Sequence, residues 1–141
     1  MGQADPEINF KKCIKSGNLK FDEGAGDLID SEIRTAQIEQ EECEFSVNNN
    51  KWRSAVRAGY YSIFHLARAL LFKKGYRERN HVCLGIGLEY LYPGQEEMVR
   101  IFRLVQGIRE ESDYECNYQR EDAVLTLNKS KEFYELYKKI K

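Results

Sequence analysis

Two histidines and four cysteines are the only imidazole and thiol groups in this 141-residue chain. Cys13, Cys43, Cys83 and Cys116 stand roughly thirty to forty residues apart with no CxxC pair, and neither His65 nor His81 falls at zinc-ligand spacing from them, so a zinc finger or ribbon is excluded. Isolated buried thiols in a reducing cytosol are the expectation. Phosphate loops of the GxxxxGK[ST] or GxGxxG kind are absent, since Gly85-Ile86-Gly87 lacks both a third glycine and a preceding strand. Serine-hydrolase elbows and HExxH helices are absent too. The apolar runs are far short of the roughly 20 residues that span a bilayer, and MGQADPEINF has no apolar core, so neither a membrane partner nor a secretory signal is expected. A cytoplasmic location follows as an expectation.

What the chain has is an ordinary globular mixture, 42% apolar and 32% charged, enough at this length for one domain with a real core. The net charge of −1 hides segregation. Residues 21–44 carry nine acids against Arg34 alone, whereas 51–81 carry eight basic residues against Glu78 alone. Opposed segments of this kind suit neighbouring helices whose outer faces attract. A basic surface that meets phosphate is the sharper alternative.

The most informative stretch is 51–81, KWRSAVRAGYYSIFHLARALLFKKGYRERNH. Trp52, Ala55, Val56, Gly59, Tyr60, Ile63, Phe64, Ala67, Leu70 and Leu71 recur at helical spacing, which predicts a long core helix over about 51–74. Asn48-Asn49-Asn50 breaks the chain before it, and Lys73-Lys74 ahead of Gly75 ends it. Other helices are expected over about 6–16, 27–47, 80–92, 96–111 and 121–140, with loops at 19–26 and 112–117. In the short first helix, Ile8, Cys13 and Ile14 form a thin apolar edge, so residues 1–24 read as a peripheral helix and loop. No strand-length alternation with hairpin turns appears. The expected fold is an all-α, antiparallel up-and-down helical bundle of four to five main helices plus the short N-terminal one, in a single domain over 1–141.

Candidate chemistry is sparse. Glu39, Glu41, Glu42 and Glu44 read as a solvated helix face rather than a cation site. His65 reads as a core or edge histidine. His81, at a helix start beside Arg77 and Arg79, is placed to hold a phosphate with free N–H groups, or else is a helix-start residue in a solvated basic loop. Tyr60 and Tyr61, about 100° apart around a helix, cannot both face the core, so one is expected at a groove, interface or base-stacking position.

The run AGYYSIFHLARALL over 58–71, followed by Lys74-Gly75-Tyr76 and His81, resembles the signature helix and loop of HEPN domains (higher eukaryotes and prokaryotes nucleotide-binding). IREESDY over 108–114, with a final helix beginning near Asp122-Ala123, resembles that family's second patch, and the likeness covers about 25–140. The resemblance implies a helical bundle, commonly a homodimer, often accompanying a minimal nucleotidyltransferase in toxin–antitoxin pairs. Many of these proteins are metal-independent ribonucleases that use an arginine followed after four to six residues by a histidine. Arg109 matches the arginine, but Asp113 and Tyr114 stand where the histidine would be sought. Arg77 and His81 lie in the other patch and do not replace the motif.

Cleavage without a metal needs a base for the 2′-hydroxyl and a cation for the phosphorane. An ordinary aspartate is too weak a base and an ordinary tyrosine stays protonated. Arg109 is therefore expected in an ion pair with Asp113 one turn on. The reading is a nucleotide- or RNA-binding bundle needing no metal and no cofactor, with Arg77, Arg79, His81, Tyr60 and Tyr61 as binding residues. Its alternatives are a ribonuclease using Arg109 with Asp113 or Tyr114, and a scaffold without catalysis.

Overall fold

A computed structural model describes residues 5–140 as six helices and one short antiparallel ribbon. In chain order these are α1 (Pro6–Lys15), β1 (Leu19–Phe21), a 3₁₀ segment (Glu23–Leu28), α2 (Ile29–Asn48), α3 (Trp52–Lys73), β2 (Tyr76–Glu78), α4 (His81–Leu91), α5 (Glu96–Glu115) and α6 (Arg120–Lys138). The all-α bundle is as the periodicity requires. Helix α3 is its axis, touched by each of the other long helices and by the ribbon.

The reason lies in the composition of α3. Tyr60, Ile63, Leu66, Ala67, Leu70 and Leu71 are fully buried, and they meet Met98, Phe102 and Val105 of α5, Leu84 and Leu88 of α4 and Phe133 of α6. Each large side chain so buried contributes about 1.5–3 kcal/mol. Nearer its start, Ala55, Ala58 and Gly59 leave room for Cys43, Ala123 and Leu127, so that α2, α3 and α6 approach closely.

Three expectations are corrected. Residues 19–26 are not simply a loop, for Leu19–Phe21 pairs with Tyr76–Glu78 in the register Leu19↔Glu78, Lys20↔Arg77 and Phe21↔Tyr76. Three residues per strand are too few to show alternation. Gly75 turns the chain into β2 at φ 85°, and a Cβ there would lie 2.6 Å from the Phe21 ring, so both the turn and the contact demand glycine. The polar run at 112–115 does not break the chain but is the last turn of α5, where Ser112 is buried and Asp113 reaches back to Arg109; Cys116, left-handed at φ 52°, ends the helix.

The cysteines give the third correction. Cys13 of α1 and Cys83 of α4 form a disulfide with their Cα atoms 5.9 Å apart, and only Cys43 and Cys116 are free. Spacing could not reveal this, because it depends on α1 lying across α4. Helix α1 docks through Phe10, stacked on Tyr90 at 4.4 Å, and Cys13, while Ile8 and Ile14 are exposed.

Candidate functional site

Arg109 projects from α5 onto the tyrosine pair of α3. Its guanidinium carbon lies 5.0 Å from the ring centre of Tyr60 and 5.1 Å from that of Tyr61. Stacking of a partly desolvated cation on two rings is worth on the order of 1–2 kcal/mol. Its Nε lies 3.7 Å from the Asp113 carboxylate, the ion pair expected one helical turn away. That separation is too long for a hydrogen bond, and Nε is buried without a hydrogen-bond partner.

Tyr60 is fully buried, and its hydroxyl meets Nδ1 of His81 at 2.5 Å. Burial pushes the phenol well above its ordinary range, so it stays protonated. The neighbouring Arg109 offers only donors, so we assign the phenol proton to a bond donated to Nδ1, which leaves the imidazole proton on Nε2. Burial, with the positive charge of Arg109, holds the His81 pKa below its ordinary value, while Glu110 opposes the shift. His81 is thus a neutral imidazole rather than a cation waiting for phosphate. Asn80 fixes it there by accepting the Cys83 N–H at 2.7 Å, which caps α4 one residue before His81.

Tyr61 and Phe64 complete an aromatic shelf. The Phe64 ring lies 4.7 Å from His81, and Tyr61 is only partly buried, as helix geometry demands of adjacent tyrosines. Beyond Phe64 stands an unforeseen polar network. Arg68, 5.6 Å over Phe64, bonds Glu32 of α2 and Glu78 of β2, both at 3.0 Å, and His65 meets the other Glu32 oxygen at 2.5 Å. Burial raises the Glu78 pKa. The sequence signal was available, since Arg68 continues the Tyr60, Phe64 face one turn on. The acidic partner could not be read, because Glu32 sat among nine acids.

The charge segregation is resolved here as well. Glu32 is the acid of α2 paired with α3 side chains, whereas Glu44 turns to Lys131 of α6 at 2.9 Å. Of the residues singled out from sequence, Arg109, Tyr60, Tyr61, His81 and Asp113 are brought together. Asp113 also accepts the Tyr118 hydroxyl. Tyr114 is 90% exposed and points away. Arg77, 3.4 Å from Asp22, and Arg79 line a cleft along the ribbon with Lys20 and Phe21. Among the described residues no group of three or more His, Cys, Asp or Glu side chains converges as a metal ion would require. No helix of the described residues is long and apolar enough to cross a membrane.

The HEPN domain model matches residues 30–140, and the chain belongs to that family, a nucleotide- or RNA-related helical protein. It is also 33% identical over 73 residues to a UPF0332 protein of Pyrococcus horikoshii, a match that covers 50% of this chain and 51% of that relative. The match therefore spans about half the length of the relative. No solved structure matches the chain.

Proposed function

We propose that the Arg109–Tyr60–Tyr61–His81 shelf binds a phosphate-bearing base, as a nucleotide or within single-stranded RNA. One observation carries this reading: a guanidinium stacked on two tyrosines with a buried Nε that no acceptor satisfies. A phosphate oxygen is the acceptor that a guanidinium prefers, and the partly exposed Tyr61 offers a face for a base. The ribbon cations Lys20, Arg77 and Arg79 would extend the path of a longer strand. The test is anisotropy of a labelled 12-nucleotide RNA, with AMP as competitor, over a salt series. Binding should weaken with salt, as phosphate contacts require, and fall at least tenfold in Arg109→Ala. Binding unchanged in that variant would remove the reading.

A ribonuclease is the second reading, favoured by the neutral His81. It supplies beside Arg109 the imidazole that the 108–114 patch lacks. Incubation of tRNA in EDTA distinguishes the two: cleavage lost in both Arg109→Ala and His81→Ala supports catalysis, and intact tRNA leaves a binding module. We further propose, from family membership, a homodimer partnered by a minimal nucleotidyltransferase in a toxin–antitoxin-like pair. Light scattering and co-purification with the product of an adjacent gene test those two statements.

A further inference from the structure

Helix α1 and β1 precede the family-matched residues 30–140, and although Phe10 stacks on Tyr90 near the far end of α4, several of their ties converge on the turn that presents His81. The β1–β2 ladder fixes 76–78, the Arg79 N–H donates to the Asn18 carbonyl at 2.9 Å, the Asn18 N–H donates to Cys13 O at 2.9 Å, and the disulfide clamps Cys83 two residues beyond His81. Besides the disulfide, α1 meets α4 through Phe10, stacked on Tyr90, while Ile8 and Ile14 are exposed. We propose that the Cys13–Cys83 bond is a redox latch that sets the position of His81 against Tyr60 and Arg109, so that oxidation assembles the shelf and reduction loosens it. This proposal rests on the reading of the shelf as a binding site.

The chemistry is thiol–disulfide exchange with a low-molecular-weight disulfide such as glutathione disulfide. Cys83, released from Cys13, attacks that disulfide as its thiolate. One glutathione thiolate leaves and a mixed disulfide remains on Cys83. The Cys13 thiolate then attacks the Cys83 sulfur and expels the second glutathione; two protein thiols are oxidised and one glutathione disulfide is reduced. Both cysteines are buried, so exchange requires α1 to lift. Cys43 cannot substitute, because it is buried against the Ala55 carbonyl and burial raises its pKa to about 12.

The chain has only two histidines, so their imidazole signals in a heteronuclear NMR spectrum are readily assigned with His65→Gln. The 141-residue chain is compared oxidised, reduced with dithiothreitol, and as Cys13→Ser, with circular dichroism to verify the helices. The His81 signals should shift on reduction and in Cys13→Ser, while those of His65 stay. Affinity for the 12-nucleotide RNA should drop roughly fivefold, the weight of one helix cap, and that drop should disappear in His81→Ala. His81 signals and affinity identical in all three forms would overturn the latch. So would a pair of thiols that stays reduced in glutathione buffers of oxidising ratio. His81 signals that move with redox in a protein that binds RNA in neither state would support the latch and overturn the binding reading instead.

Discussion

The Tyr60 hydroxyl and the His81 imidazole, 21 positions apart, meet at 2.5 Å and tie the middle of α3 to the first residue of α4. Tyr60→Phe keeps the buried ring and deletes that bond, leaving Nδ1 half-buried without its donor. A loss of about 1–2 kcal/mol is expected in urea unfolding with the helical circular dichroism unchanged. Stability equal to the parent would show that the contact contributes nothing.

Acid should weaken the same contact. The folded pKa of His81 lies below its ordinary value of 6.5, so the unfolded chain binds the proton more readily. The stabilisation is present in full above pH about 6.5 and is lost as pH falls through the lower folded value. The difference in unfolding free energy between the parent and His81→Gln should therefore shrink between pH 7.5 and 5. A gap that stays constant over that range would contradict the burial of the imidazole.

Arg109→Lys keeps the positive charge but not the planar group that lies on two rings. A loss of about 1 kcal/mol is expected, seen as a fall of a few degrees in Tm. Tyr114→Ala, at a 90% exposed position, serves as the control and should stay within about 0.5 kcal/mol of the parent.

Glu32 is shared by His65 and Arg68, and Glu32→Gln leaves the Arg68 charge to Glu78 alone. Because Arg68 is one-fifth exposed, the expected cost is about 2 kcal/mol, below the range for a fully enclosed pair. Double-mutant analysis with Arg68→Met would show coupling between the two positions if the network acts as described.

At Gly59 the approach of α3 and α6 is close. A Cβ there would stand 2.4 Å from Thr126 Cγ2 and 3.1 Å from Cys43 Sγ. Gly59→Ala should cost about 1–3 kcal/mol by overpacking, and Thr126→Ser, which removes that methyl and keeps the hydroxyl bonded to Asp122 O, should restore part of it. Strictly additive effects would show that the crowding is relieved elsewhere.

The long apolar periodicity of α3 made the bundle legible, and every residue of its apolar face except Trp52 is buried. A period that persists over six turns leaves little freedom in how it is satisfied. Local signals also placed helix ends: Pro6 and Gly75 act where their backbone preferences require. Contacts between distant segments were opaque. The sequence placed Arg109 with Asp113 because one turn separates them, but it could not bring His81, 28 positions earlier, to the same tyrosines. The Cys13–Cys83 bond, 70 residues apart, and the three-residue ribbon were hidden for the same reason.

Helices α2 and α3 share the most extensive contact in the molecule and are joined by residues 49–51 alone, with Asn50 at φ 57°. Such a hairpin needs little loop-closure entropy and can form while the chain is still being synthesised. Synthesis then delivers α4, and with it both partners of the disulfide, before residue 109 exists. The order of translation therefore lets α1 be fastened to α4 first and leaves the arginine to arrive at a shelf whose histidine is already in place.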